Sequence, residues 1–452
     1  MASSGGIRVA ARASRPAPTE IPDTDFLQQP LWWDDAPLRK GRGVEALPAC
    51  DVAIVGGGFA GLATALELAR HGVRVTVLEA DAFGFNASGR NSGGVSFGLD
   101  LAKIARWRRW TSTKGPSIEE LARGALDSLR HLEAFIADNA VDCDYHRRGR
   151  LSCAPSRAHY ERLAGRVDRL NALFDADAYM VPRERQAEEI GAPGFHGAMV
   201  IERSGQLHPG LFLRRLVELC EEAGAALVDS TCVTAIDKDT RGFVVRTHRG
   251  DVAAASVVVA TNAHAARLAK PNLGGRVVPV ASHIVVTEPL SDALADGLIP
   301  KRRTGADNRR LLAYFRRTPD GSRFLYGSRA SPFEVSPEVA ARILYRRMLE
   351  TFPQLEGARI THAWGCKVAF TFDGLPHIGQ ADGIHYLMGC NGNGVAMMNY
   401  MGFHLARKLI EGRPSACVFD GAAFPTVPFY RGRPWFLPIA AGVYRLLDRL
   451  DS

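Results

Sequence analysis

The stretch that most limits how this chain can fold is DVAIVGGGFAGLATALELARHGVRVTVLEA, residues 51–80. Val52–Val55 is short, apolar and followed at once by glycines, the pattern of a buried parallel strand. Ala60–His71 has helical periodicity and stops at Gly72, a good C-cap. Val73–Glu79 is the second strand of a βαβ unit. Gly56, Gly58 and Gly61 form G-x-G-x-x-G in its first turn. The first glycine permits the tight turn, the second lets the backbone approach a pyrophosphate, and the third lets helix and strand pack closely. Phe59, Ala60 and Gly61 open the helix, so their N–H groups and the positive dipole end face the phosphates. Glu79 ends the second strand, followed by Ala80 and eighteen residues past Gly61. A carboxylate there accepts both ribose hydroxyls and repels a 2′-phosphate, which disfavours NADP. NAD and FAD both remain.

A second glycine-lined helix start lies at the far end, in GCNGNGV (389–395), where Gly392, Asn393, Gly394 and Val395 precede a long helix to about Ile410. A simple nicotinamide enzyme has no use for it. A flavin does, because its reduced ring carries negative charge near N1 and O2 that a helix N-terminus stabilises. An ordinary glycine-rich turn is the plain alternative.

Between these ends, Ser117-Ile118-Glu119-Glu120 is a capping box opening a helix to about Asn139. Pro209 starts another helix that ends near Gly224. Val257–Ala260 is a buried strand leading into Thr261-Asn262, and Leu311–Arg316 with Arg323–Gly327 reads as a hairpin. At 452 residues the chain is too long for one simple core, and two domains are expected. Eight cysteines carry no CxxC or Cys/His cluster, so zinc and iron–sulfur sites are not expected and a reducing compartment is. The net charge is +8, and Trp107 and Trp110 interleave one arginine cluster, yet the basic residues are spread out among 48 acids. That pattern favours a solvated surface, or steering of an anionic ligand, over nucleic-acid binding. The longest apolar stretches, Val277–Val286 and Pro434–Tyr444, are broken by Pro, His or Ser and are too short to span a bilayer. The first nineteen residues hold Arg8, Arg12 and Arg15 and no acid. They read as an unstructured leader on a cytoplasmic bacterial enzyme, with a mitochondrial transit peptide as the alternative. Trp32-Trp33 reads as an anchor onto the folded body.

Together with NASGRNSGG (86–94), GQLHP (205–209), VVVATNA (257–263), DGLPHIG (373–379) and GCNGNGVAMMNYMG (389–402), the opening stretch resembles the D-amino-acid-oxidase-type family of FAD-dependent amine and amino-acid oxidoreductases, in its γ-glutamylputrescine-oxidase-like branch. The resemblance runs from about 30 to 445. It implies an α/β fold: a discontinuous Rossmann-like FAD-binding domain plus a substrate domain with a large mixed or antiparallel β-sheet. The expected division is an irregular arm at 1–44, the FAD domain at 45–105, 195–268 and 357–420, the substrate domain at 106–194 and 269–356, and an extension at 421–452. It also implies that Ser88, Arg90, Asn91 and Ser92 lie in the loop passing pyrophosphate and flavin, that the Val233 backbone meets the adenine, that Thr261 and Asn262 close the nucleotide site, and that Gly392–Val395 cradle the flavin. FAD is therefore the expected cofactor.

The family reaction takes hydride from a carbon bearing an amine to flavin N5, the imine then being hydrolysed. The flavin does the chemistry while the protein positions and desolvates, so no triad is needed. Tyr314 and Arg316, two apart on a strand, share a face and can hold a substrate carboxylate. Arg329 is a second candidate for that role, and for each of the three a plain sheet-surface position is the alternative. His283 and His377 are either pocket-lining or structural. In sarcosine-oxidase-like members a cysteine shortly before an aspartate is joined to the flavin 8-methyl. Cys366, in CKVAFTFD, resembles it, with Lys367 alongside to favour the thiolate; a small buried cysteine is the alternative. Those members also place a lysine on a hairpin strand for oxygen. RFLYGSR (323–329) has none, which leaves oxygen or a quinone or other carrier as acceptor. The tail PWFLPIAAGVYRLLDRL is amphipathic enough to meet a membrane or a partner subunit. Two rival functions stay open: oxidation of a 2-hydroxy acid on the same fold, and a non-catalytic flavin-binding subunit.

Overall fold

The computed structural model describes residues 21, 25–39, 47–112, 114–268, 271–331 and 334–451. Most of the expected N-terminal arm, including the leader reading of the first nineteen residues, lies outside the described residues.

Two eight-stranded sheets organise the chain. In the first, Cys50–Val55 is central and runs parallel to Val75–Leu78 on one side and to Gly250–Val259 on the other. Ala226–Val228 extends it beyond Val75–Leu78. Ile384–Met388 and then His377–Ala381 extend it beyond Gly250–Val259. The antiparallel strands Gly242–Thr247 and Val233–Asp239 branch from the N-terminal part of Gly250–Val259. Val257, Val258 and Val259 are wholly buried because this sheet is covered on both faces.

The helix Phe59–Arg70 covers one face and is crossed by the helix Gly394–Glu411. The crossing is set by Gly402. A Cβ there would fall 2.7 Å from both the Ala60 carbonyl oxygen and the Ala63 Cβ. The Thr64 hydroxyl seals it, donating to Ala60 O at 2.9 Å and to Gly402 O at 3.2 Å.

The second sheet has the order Ile360–Thr371, Val277–Thr287, Phe324–Ser328, Ala313–Arg317, Thr304–Asp307, Arg150–Cys153, Ala198–Ile201, Ala178–Val181. It is antiparallel except where Thr304–Asp307 runs parallel to Arg150–Cys153. Two strands depart from the expected division. Ala198–Ile201 and Ile360–Thr371 fall in segments assigned to the FAD domain, yet hydrogen-bond into this sheet. Their pairing partners are distant in sequence, so local pattern does not reveal which sheet receives them.

Strand alternation divides the second sheet sharply. Phe315, Phe324 and Tyr326 pack with Phe352 and the helix Pro337–Thr351 on one face. Ile284, Val286, Leu325 and Trp364 form the other face with Trp32 and Tyr314. That face meets the glycine-rich loop: Trp32 Nε1 donates to Asn91 O at 2.8 Å, and Trp364 Nε1 to Arg90 O at 2.9 Å. Trp32 is fully buried, as an anchor must be.

Candidate active site

At the first glycine loop, a Cβ on Gly61 would stand 1.9 Å from the Gly56 carbonyl oxygen, so no larger residue fits that strand-to-helix turn. Gly58 is the N-cap of the helix opened by Phe59 and Ala60, and no side chain caps it. The Phe59 N–H donates to Ser88 Oγ at 3.0 Å, which draws the loop onto the turn. Glu79 accepts from Gly57 N at 2.6 Å and from Asp81 N at 3.2 Å. Burial still raises its carboxyl above the ordinary range, the two N–H donors only partly offsetting the lost hydration. Ala80 follows it into the turn. Thr231 N donates to Glu79 O at 2.7 Å, bringing the chain that leads to Val233 alongside. The Thr261 hydroxyl is buried and has no partner among the described residues.

At the second site, Asn393 is the N-cap of Gly394–Glu411, and its side chain makes no cap bond. Instead its amide donates to Gly98 O at 3.2 Å and accepts from Ser96 Oγ at 3.2 Å. Gly392, Gly394 and Val395 thus begin a helix whose first N–H groups have no side-chain cap. Two asparagines hold this turn. Asn262, with φ of 46°, accepts from Gly389 N at 3.0 Å and donates to Cys390 Sγ at 3.2 Å. It therefore ties the nucleotide turn to the cradle. Asn391, unremarked in the sequence, accepts from Thr371 N at 3.0 Å.

Between the two lies the loop 84–98. Arg90 donates to Phe85 O at 2.5 Å and Gly365 O at 3.0 Å, and its guanidinium lies 4.8 Å over Trp33. The Asn91 amide donates to Ala87 O and Ser88 O and accepts from Gly93 N, so it shapes the loop from within. Ser92 O accepts from Arg316 at 3.0 Å.

The substrate-side candidates separate. Tyr314, Ser282 and Cys366 share the face of the second sheet that looks toward the loop: Ser282 pairs with Cys366, and its hydroxyl meets the Tyr314 hydroxyl at 3.0 Å. Arg316, also on that face, is 1% exposed and committed to main-chain carbonyls of Ser92, Leu207 and Arg317. Arg329 is different. Its guanidinium lies 4.8 Å over the Phe370 ring, and it makes no hydrogen bond or ion pair among the described residues. Burial lowers its proton affinity. Phe370 in turn lies beside Gly392. Lys103, not singled out from the sequence, reaches the same ring at 5.8 Å and donates to Thr371 O at 3.1 Å.

Three expectations need correction. Lys367 cannot bear on the Cys366 thiol from the same side: adjacent strand residues point to opposite faces, and Lys367 pairs with Glu334 at 3.1 Å. The thiol is instead pushed up to about 12 by burial, with Arg90 as the opposing charge. His283 pairs with Gly365 and so sits on the face away from Tyr314. His377 is 0% exposed, 3.2 Å from Asp373 and stacked on Phe424 at 4.1 Å, so it pins the DGLPHIG turn from within.

Two uncapped helix starts, an orphaned threonine hydroxyl and a glycine turn that admits no side chain fit a dinucleotide carrying a flavin. The family model "FAD dependent oxidoreductase" (DAO) matches residues 51–408. The chain belongs to this family. It is 32% identical over 410 residues to gamma-glutamylputrescine oxidoreductase of Escherichia coli (strain K12), covering 89% of this chain and 93% of that relative. Among solved structures it is similar to glycine oxidase from Geobacillus kaustophilus, with a TM-score of 0.69 and 26% identity over 84% of this chain and 99% of that one. L-proline dehydrogenase from P. horikoshii shares the fold, with a TM-score of 0.65 and 19% identity over 83% of this chain and 97% of that one. This family member is thus an FAD-dependent oxidoreductase.

Proposed function

We propose that this DAO-family member oxidises the CH–NH bond of an amine or amino acid that carries a carboxylate, with hydride leaving the carbon for flavin N5. The observation that carries the reading is Arg329, a partly buried cation without an anion among the described residues, beside Phe370 and the cradle. Both relatives named above at 25% identity or more act, by their names, on amino-group compounds. Bound FAD supplies the two-electron acceptor. The chain's own residues do the rest. Arg329 holds the carboxylate bidentately, and the Tyr314 hydroxyl, steadied by Ser282, donates to it. Phe370 and Trp364 exclude water from the carbon being oxidised. The backbone N–H groups of Ala60 and Gly61 hold pyrophosphate, with the Phe59 N–H spent on Ser88 Oγ, Glu79 the ribose, the Val233 backbone the adenine, and the N–H groups of Gly394 and Val395 the flavin edge where negative charge develops. The substrate amine binds neutral, so no side-chain base is required. All eight cysteines are free, as a reducing bacterial cytoplasm would keep them.

The test is direct. The purified protein is expected to be yellow, and one or more amines or D- or L-amino acids bleach it without oxygen. Return of colour with air or only with a quinone then identifies the acceptor. Bleaching by a 2-hydroxy acid alone, or by no compound of either class, rejects the reading.

A further inference from the structure

The helix Leu101–Thr111 and the tail from 421 to 447 contain no Asp or Glu. They contain Lys103, Arg106, Arg108, Arg109, Arg431, Arg433 and Arg445, of which Arg106, Arg109, Arg431, Arg433 and Arg445 are exposed. An aromatic chain joins the two segments. Trp107 stacks on Phe372 at 6.4 Å, Phe372 meets Tyr430 at 5.4 Å, and Tyr430 meets Phe436 at 5.7 Å. They therefore present one surface.

That surface is apolar where it projects furthest. On the helix Leu437–Leu450, Ile439, Val443, Leu446 and Leu450 recur at spacings of four, three and four, which places them on one face. All four are exposed. Asp448 and Asp451, off that stripe, hold the helix to Arg310. Phe429 and Trp110, one in each segment, stand out at 94% and 75% exposed. A water-facing apolar stripe with aromatic flanks lacks its natural cover.

We propose that this face docks peripherally on a bilayer containing anionic lipid, with the C-terminal helix lying in the headgroup plane. Arginines at the rim complement lipid phosphates, and Trp110, Phe429 and Trp435 sit at headgroup depth. A second copy of the chain is the weaker occupant. Two-fold pairing sets each patch against itself, arginine against arginine, while the docking helix's own acid, Asp448, is engaged by Arg310. No helix among the described residues is long and apolar enough to cross a membrane, which fits a surface contact.

The test uses full-length, FAD-loaded protein and sedimentation with phosphatidylcholine vesicles, with and without phosphatidylglycerol. Binding is expected to be about tenfold or more tighter with phosphatidylglycerol and to weaken as salt rises. Arg431→Glu with Arg433→Glu, and separately Leu446→Ser with Leu450→Ser, are expected to lower it about tenfold while visible spectrum and melting temperature hold. No sedimentation, equal binding to both vesicles, or binding untouched by either pair overturns the proposal. So does a protein that elutes as a dimer which the two serine changes dissociate.

Discussion

Replacing Arg329 by methionine keeps the apolar stem and removes the charge. In the free protein the guanidinium rests over Phe370 with no anion to pair it among the described residues, so the change deletes a desolvated cation and leaves no buried carboxylate behind. Folding stability should hold or rise slightly. The loaded site should respond in the opposite sense. Losing a charge-assisted, bidentate contact to a buried carboxylate costs about 2–4 kcal/mol. At 1.36 kcal/mol per factor of ten, kcat/KM for a carboxylate-bearing amine should fall about 30- to 1,000-fold. An amine of the same skeleton without the carboxylate should change less than about threefold. Steady-state kinetics on such a substrate pair, with a thermal melt of each protein, checks both halves. Equal losses on the two substrates would show that Arg329 does not hold the carboxylate. A large drop in melting temperature would show that it supports the fold.

Gly61→Ala should yield protein without yellow colour, since its Cβ would overlap the Gly56 carbonyl oxygen; the absorbance ratio of flavin to protein measures this. Flavin-free protein should lose stability as pH rises from 4.5 through the raised Glu79 value, because over that window the folded state holds the extra proton. Urea melts across the window should show a shallower decline for Glu79→Gln. Acid precipitation of the wild type should leave colour in the supernatant, and Cys366→Ala should behave identically, because burial keeps that thiol protonated; yellow protein in the pellet would contradict this.

What could be read from the sequence follows the range of the interactions involved. The βαβ start, the capping box at Ser117 and the hairpin at 313–328 are local and appear where the pattern places them. The alternation putting Tyr314 and Arg316 on one face was legible too. Their different fates were not. Arg316 is bound by Ser92 and Leu207, carbonyls that bear no residue signature and are remote in sequence, while Arg329 is left unpaired. Lys367 shows the opposite failure, since adjacency in sequence means opposition on a strand. Lys103 was not singled out because the fold that tucks it against Phe370 is not written in its own helix. The tail's amphipathicity was visible, but which side of Leu437–Leu450 would be left uncovered was not.

The hydrogen at Gly402 sets how closely two rods lie, and in the function proposed above each rod carries one of the two docking ends. Any bulkier residue would push those ends apart while leaving each one intact. On that proposal, position 402 governs a molecular length: the span between a phosphate grip and a ring grip, cut to one size of guest.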